Sequence, residues 1–159
     1  HKQVCQLLAE RKALLNGRLD FGVTTLQLAA EHGHHAVLLL LLEELRTHGA
    51  DHVAEALAAR RSLNGCTALL LAAARGHTAC CRVLLEAVPA AVDLDDHDRD
   101  ALMLAAQSGR LDLCSWLLKE ALPAAEAKAA LGRRDSCGWS PLHHASFAGE
   151  KQVVSLLLE

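Results

Sequence analysis

Apolar and polar positions follow a helical pattern along the chain, and this pattern occurs four times. Each copy is a ten-residue segment that begins with a polar residue and ends with glycine: TTLQLAAEHG from Thr24, TALLLAAARG from Thr67, DALMLAAQSG from Asp100 and SPLHHASFAG from Ser140. Threonine, aspartate and serine are good helix N-caps, and glycine readily ends a helix in the left-handed conformation. Each segment therefore predicts a short helix with a defined start and end.

A second apolar stripe follows each of the four glycines, at offsets of four, five, seven and eight residues. In the last copy this stripe consists of Val153, Val154, Leu156 and Leu157. The spacing is that of a helix with one face toward a core. The first residues, HKQVCQLLAE, fit the same second-helix pattern, so we expect the chain to open inside a repeat and to be part of a larger protein.

Composition agrees with an all-α protein. Apolar residues make up 52% of the chain and aromatic residues only 3%, so the core must consist of Leu, Ala and Val, a mixture that favours helices. The formal net charge of -3 gives no overall field that would attract nucleic acid or an anionic membrane. The apolar run AVLLLLLEEL is shorter than the ~20 residues that span a bilayer, so no membrane insertion is expected. The six cysteines have no C-x-x-C spacing, which favours an intracellular location, cytoplasmic or nuclear.

The segments SPLHHASFAGEKQVVSLLLE and TALLLAAARGHTACCRVLLE closely resemble the ankyrin repeat, whose pattern is G-x-T-P-L-H-x-A-A-x-x-G-H-x-x-V-V-x-L-L-L. This resemblance implies an all-α ankyrin-repeat solenoid of stacked helix-turn-helix units. In such proteins, loops between repeats project as fingers, and the fingers and inner helices form a concave binding face. The predicted units of this single domain, residues 1–159, are 1–15 (a partial repeat), 16–61 (a repeat with an insertion), 62–94 (a repeat), 95–134 (a repeat with an insertion) and 135–159 (a last, truncated repeat).

The chain departs from the family pattern between the repeats. The cap-to-cap spacings are 43, 33 and 40 residues, so two connections are longer than the third. The extra residues lie in the alanine-rich stretches THGADHVAEALAARRSLN and EALPAAEAKAALGRRDS, and each stretch is predicted to add or extend a helix. In one finger Asp98 stands where the family has glycine, which predicts an unusual finger shape.

Ser140, His143 and His144 raise the question of a catalytic or metal site. Ser140 is explained as a cap, and the resemblance gives His143 a hydrogen-bonding role near the helix start. Adjacent residues on a helix point about 100° apart, so His143 and His144 are poorly placed to share a metal ion. His144 occupies a leucine position and is interpreted as a satisfied, partly buried residue. We therefore predict no catalytic residue, no metal site and no cofactor.

Two further groups of residues, an acidic run and the cysteines, are interpreted as structural. The run DLDDHDRDA has the alternate acidic spacing of a calcium loop, but Ala101 and Gln107 replace the required glycine and glutamate, so we interpret it as an acidic finger, with calcium as the lesser alternative. Two cysteines in fingers, Cys66 and Cys137, are expected to be exposed. The other four fall on core positions of second helices, where a thiol acts as a small apolar side chain: Cys5, Cys80, Cys81 and Cys114.

Recognition is expected at the finger tips and on the exposed side of the inner helices, since stacked repeats bury their apolar faces against each other. The predicted partner-binding residues are Phe21, Val23, His32, Arg75, His97, Arg99, Trp139 and Phe147. Trp116, in contrast, replaces a leucine of a second helix and is expected in the core.

The predicted function is that of a non-catalytic, monomeric module that binds a peptide or protein partner on its concave face. The alternative is a sensor domain that stacks a nucleotide or a single-stranded RNA base on Trp139 or Phe147, with Arg99 or Arg75 on the phosphate. The acidic finger opposes this alternative, so nucleic acid is not the expected partner.

Overall fold

The computed structural model describes residues 23–47, 49–60, 64–87 and 93–159. Within these ranges it contains ten α-helices and no strand. They are α1 (Thr25–Glu31), α2 (His35–Thr47), α3 (Ala50–Ala58), α4 (Ala68–Arg75), α5 (Thr78–Ala87), α6 (Ala101–Gln107), α7 (Leu111–Trp116), α8 (Ala124–Gly132), α9 (Pro141–Ala148) and α10 (Lys151–Leu158). Helix α7 continues as a π-helical segment over Leu117–Ala121. The prediction of an all-α repeat solenoid is confirmed.

The helices form two layers. The inner helices α1, α4, α6 and α9 pack in chain order, each against the next, and in the outer layer α2 packs against α5 and α7 against α10. Leucine, alanine and cysteine side chains fill the space between the layers; Leu38, Ala72 and Cys114 in this cluster are completely shielded from solvent. The apolar stripes predicted from the sequence therefore meet in one continuous core.

Each inner helix begins at its predicted cap. In all four helices the cap side chain accepts a hydrogen bond from the backbone N–H three residues further along, and the caps are Thr24, Thr67, Asp100 and Ser140. This bond satisfies one of the N–H groups that a helix start leaves without a partner. The starts of the inner helices are thus fixed by local sequence.

The turn after each inner helix also connects neighbouring repeats. Gly76 ends α4 with φ 80°, and a Cβ at this position would lie 2.5 Å from Cδ of Arg110 in the next repeat. One repeat earlier, His77 lies over Gly33, and His77 Nε2 is 3.0 Å from the carbonyl oxygen of Glu31. His77 therefore makes a contact between repeats.

Both alanine-rich insertions contain a helix, as predicted: α3 lies in the first and α8 in the second. Val53 and Ala56 of α3, and Ala127 and Ala130 of α8, are buried. Among the described residues no helix is long and apolar enough to cross a bilayer. The insertions thus extend the packed layers of the solenoid.

Trp116 lies at the edge of the core. It is half-buried and packs against the core cluster, while the guanidinium carbon of Arg82 lies 4.9 Å from the ring centroid. The prediction that Trp116 lies in the core is therefore only partly correct, since its side chain is half-buried.

Candidate functional site

An aspartate organises each of the last two fingers. In the fourth repeat Asp135 Oδ1 accepts hydrogen bonds from the backbone N–H groups of Cys137 (2.9 Å) and Trp139 (2.8 Å). In the third repeat Asp95 Oδ1 accepts from the N–H groups of His97 and Arg99, both at 2.9 Å. The sequence interpretation did not single out these two aspartates. Their equal distance of five residues from the following cap was the signal that would have identified them.

The finger that carries Asp98 has the same backbone conformation as its neighbours. Asp98 has φ 60°, close to the values of Gly65 (65°) and Gly138 (80°) at the same position in the adjacent repeats. The prediction of an unusual finger shape is therefore wrong. Aspartate is one of the few residues other than glycine that adopt the left-handed region, because its short side chain bonds locally.

Neighbouring fingers are joined through their backbones. The N–H of Asp96 donates to the carbonyl of Asn64 (3.1 Å), and the N–H of Ser136 donates to the carbonyl of His97 (2.9 Å). These two bonds occupy equivalent positions, so the third and fourth fingers are each held by the finger before them.

Trp139 and Phe147 form an aromatic pair at the fourth repeat. Trp139 lies on the finger and is half-buried, whereas Phe147 lies on α9 and is 76% exposed. Their ring centroids are 5.2 Å apart and the ring planes meet at 60°. The Trp139 ring also contacts His144, whose ring centroid lies 5.4 Å away. The pair thus presents an apolar surface, and His144 packs against the Trp139 ring.

His144 is held by Asp135. Its Nε2 lies 2.8 Å from Asp135 Oδ2, and the two side chains are only 6% and 5% exposed. Burial acts to raise the pKa of Asp135, but the hydrogen bonds from the Trp139 N–H, the His144 ring and the Cys137 N–H together lower that pKa below its ordinary value. The interpretation of His144 as a satisfied buried residue is confirmed.

Arg99 is largely engaged in the third finger. Its Nη2 lies 2.7 Å from Asp95 Oδ2, and its Nη1 donates to Oε1 of Gln107 on α6 at 3.2 Å. The Arg99 side chain is 22% exposed, and that of Asp95 is fully buried. Burial acts to raise the pKa of Asp95, but the hydrogen bonds from Arg99 and His97 and the Arg99 charge lower it overall. Arg99 therefore fastens the finger to the inner helix.

The charges on the earlier repeats of the concave face are also paired. Arg75 lies 3.0 Å from Glu31 Oε1 on the preceding inner helix, and its side chain is 60% exposed. His32 and His97, two other predicted binding residues, are exposed. A small cluster of buried apolar residues lies in the second and third repeats and consists of Cys66, Leu70, Leu71 and Leu104.

Two residues that were expected to be exposed are buried. Val23 is 8% exposed and Cys66 is 4% exposed, so the predictions of exposed side chains at these positions are wrong. Both residues directly precede a cap, as do Arg99 and Trp139. Short side chains at this position stay within the stack, whereas the longer ones reach the surface. Phe21 lies outside the described residues.

Ser140 and His143 are close together, but as parts of a helix cap. His143 Nδ1 lies 2.7 Å from Ser140 Oγ and 3.3 Å from the Ser140 backbone nitrogen, which donates to it. Ser140 Oγ also accepts the N–H of His143, so the two residues form a capping box. The other neighbour of His143 Nδ1 is Nη1 of Arg134 at 3.3 Å, and Ser140 is only 5% exposed. The structural role expected for His143 is confirmed.

Three carboxylates of the acidic finger, those of Asp95, Asp96 and Asp100, are paired with arginines. Asp96 pairs with Arg60 (3.3 Å), and Asp100 pairs with Arg133 (2.7 Å) while it caps α6. Within the part of the chain that the structure describes, no group of three or more His, Cys, Asp or Glu side chains is arranged to hold a metal ion.

The cysteines of the outer helices are thiols packed among apolar residues. Cys80, Cys81 and Cys114 are buried, and burial raises the pKa of Cys81 and of Cys114 to about 12. Their predicted role as apolar core residues is confirmed, and Cys5 lies outside the described residues. Cys137 is exposed, as predicted.

Comparison with known protein families gives two overlapping matches. Residues 45–129 match a family described as "Ankyrin repeats (3 copies)", and residues 102–158 match one described as "Ankyrin repeats (many copies)". A search of curated proteins found no match to the chain. The matched regions contain nine of the ten helices described above in whole or in part, and they include the aromatic pair.

Proposed function

The chain belongs to the ankyrin repeat family, whose members are generally protein-protein interaction modules, and from that premise we propose that it binds a peptide or protein partner on its concave face. The observation that carries the proposal is the aromatic pair. Phe147 is 76% exposed on an inner helix, and Trp139 packs against it at 5.2 Å. We propose this pair as the main anchor for the partner.

Aromatic residues dominate the energetics of many interfaces because they bury a large area at a small cost in side-chain entropy. The contacts of Trp139 with Phe147 and His144 hold its ring in place before a partner binds. This preorganisation supports the pair as a binding site, since less freedom is lost on binding.

The paired charges of the concave face favour an apolar anchor over a phosphate ligand. The guanidinium groups of Arg75 and Arg99 each have a carboxylate within 3.0 Å, from Glu31 and Asp95 respectively. A nucleotide or RNA backbone would have to compete with these carboxylates. We therefore propose protein or peptide binding rather than base stacking as the function.

The proposed module is non-catalytic. The hydroxyl of Ser140 caps α9, and Ser140 is only 5% exposed. The side chain beside His143 is that of Arg134, whereas a catalytic histidine would need a carboxylate to orient it. These contacts support a structural role for Ser140 and His143. We also propose an intracellular location, which the buried thiols of the outer helices support.

The predicted binding residues take different roles in this proposal. Trp139 and Phe147 form the anchor, and His32, Arg75 and His97 form an exposed polar rim. Arg99 and Val23 act from within the stack, by supporting the finger and the inner helix.

The proposal is tested with peptides selected from a randomised display library on the purified wild-type chain. The Phe147→Ala variant is expected to bind the selected peptides about 30-fold or more weakly, the loss of a hot-spot residue. Leu158→Ala is the matched control, because Leu158 is 69% exposed on the outer helix α10. Equal affinity for Phe147→Ala and the wild type, or an equal loss in both variants, would contradict the proposed site.

A further inference from the structure

The sequence Arg133-Arg134-Asp135-Ser136 leads from the end of α8 into the turn of the fourth finger, which begins at Ser136. Two arginines placed three and two residues before a serine form the substrate pattern of arginine-directed serine kinases, whose acidic pockets bind both guanidinium groups. Ser136 is exposed, and its hydroxyl makes no hydrogen bond to the residues that the structure describes. Arg134 is exposed as well, whereas Arg133 is 26% exposed and must release Asp100, with which it pairs at 2.7 Å, before a kinase can bind its guanidinium group. We propose that Ser136 is a phosphorylation site for a serine kinase of this class.

The reaction is an ordinary phosphoryl transfer from ATP. The kinase transfers the γ-phosphoryl group to Ser136 Oγ, so that a new O–P bond forms while the bond between the β- and γ-phosphates breaks and ADP leaves. The hydroxyl proton passes to the base of the kinase. The product carries a charge of about -1.5 to -2 where the chain has a neutral hydroxyl.

The repeat register gives the surroundings of that phosphate. Ser136 and Asp96 occupy equivalent positions, since each donates its N–H to the preceding finger. Asp96 Oδ1 extends to the site of a Cβ on Gly65, so its carboxylate lies directly over that glycine. Ser136 faces the third finger, and in that finger the position of Gly65 is occupied by Asp98. A phosphate on Ser136 would therefore lie against a carboxylate.

The third repeat has no arginine at the position that Arg60 occupies in the second, and Arg99 of the third finger is paired with Asp95. The carboxylate of Asp96 is paired with Arg60, seven residues before the cap of the second repeat. In the third repeat the equivalent position is occupied by Asp93, which accepts a hydrogen bond from Thr67 Oγ1 at 2.8 Å. The Asp93 carboxylate thus faces the second repeat, and Asp98 is the acid of the third finger that lies toward the modified serine.

Like charges on facing fingers repel, so phosphorylation loosens the fourth finger from the third. The bond that holds the two together runs from the Ser136 N–H to the His97 carbonyl, at 2.9 Å. The same finger carries Trp139, three residues further along. Weaker partner binding after phosphorylation follows from this geometry, and that one consequence rests on the proposed function.

The site is tested with the purified chain, ATP and the catalytic subunit of cyclic-AMP-dependent protein kinase, a kinase of this class. Intact mass and peptide mapping are expected to show one phosphoryl group on Ser136. Ser136→Ala removes it, and Arg134→Ala slows its addition by about tenfold or more, as expected for the loss of a charge-assisted contact. Ser62→Ala, which removes the serine that follows Arg60 and Arg61, leaves the reaction unchanged.

Two outcomes overturn the site. One is incorporation of phosphate that survives in Ser136→Ala. The other is a folded chain that stays unmodified under conditions in which a synthetic peptide of residues 131–140 is phosphorylated. Neither measurement involves a partner, so a failure here is distinguishable from a failure of the proposed binding function.

The effect on the finger is tested by thermal melting of the fully phosphorylated chain. Phosphorylation is expected to lower the Tm by about 2–4 °C, because repulsion between the phosphate and one carboxylate reduces the stability of a domain of this size only modestly. In Asp98→Asn, which removes the facing charge but tolerates the left-handed backbone, the decrease is expected to be less than half as large. An equal decrease in both chains, or a rise in Tm, would overturn the role of Asp98.

Discussion

Single residues in the fingers combine backbone conformation with charge. Asp98 has φ 60°, whereas Asp96, two residues earlier, is outside the left-handed region. A side chain with a Cβ costs roughly 1–2 kcal/mol in that region, and glycine does not have this cost. The two aspartates therefore respond in opposite ways to the same pair of substitutions.

We predict that Asp98→Gly is more stable than Asp98→Ala by about 1 kcal/mol in urea unfolding. At Asp96 the order is reversed, and Ala is at least as stable as Gly, because glycine only adds freedom to the unfolded chain there. Equal stability of the two Asp98 variants would contradict the left-handed conformation assigned to this finger.

The second residue-scale prediction concerns the acid stability of the fourth finger. Because the pKa of Asp135 is lowered from 3.8 in the folded chain, its stabilising contribution is present above that pH and is lost as pH falls through the lower folded value. Asp135→Asn is expected to lose less unfolding free energy than the wild type between about pH 5 and about pH 3. Asp112→Asn, at an exposed position, is the control. An unchanged pH dependence in Asp135→Asn would contradict the assigned hydrogen bonds.

Local signals were sufficient to predict the caps and the left-handed glycines, because each depends on one side chain and its own turn. They were not sufficient for Val23 and Cys66, whose exposure depends on how far a side chain reaches from the position before the cap. The bond between His144 and Asp135 was also beyond sequence reasoning, since it joins a finger to an inner helix.

At the scale of elements, helix ends determine how repeats fit together. Gly76 has φ 80°, and a Cβ there would lie 2.5 Å from Arg110 Cδ. Gly132, at the end of α8, has no heavy atom of this kind within 4 Å and no positive φ. The two glycines thus differ in both conformation and space.

We predict that Gly76→Ala lowers the free energy of unfolding by at least about 1 kcal/mol, because the substitution combines left-handed strain with the approach of Arg110. Gly132→Ala is expected to leave stability unchanged or slightly higher, as alanine favours the helix. Chemical denaturation of both variants measures the difference. A stable Gly76→Ala chain would contradict the turn between α4 and α5.

The inserted helices show what the sequence could predict about elements and what it could not. The alanine-rich composition of both insertions predicted α3 and α8 correctly, because alanine strongly favours helix. The pairing of Arg133 with Asp100 was not predictable, since it brings the end of α8 to the cap of α6, 33 residues away along the chain. Packing between elements decided that contact.

At the scale of the whole molecule, the concave face changes in character along the stack. The first three repeats present paired charges, Glu31 with Arg75 and Asp95 with Arg99, whereas the fourth presents the aromatic pair of Trp139 and Phe147. The repeat register predicted which positions face this side. It did not predict which charges neutralise one another, because those pairs depend on side-chain conformations across repeats.

Amide hydrogen exchange of the chain, measured with and without a selected peptide, tests whether the partner binds at the concave face of the fourth repeat. We predict that the peptide slows exchange in the fourth finger, at the N–H groups of Cys137, Gly138 and Trp139, and in the exposed turn of α9 around Phe147. The outer helices α2 and α5 and the inserted helices α3 and α8 are expected to exchange as before. Protection confined to those helices, with the fourth finger and α9 unchanged, would contradict binding on the concave face.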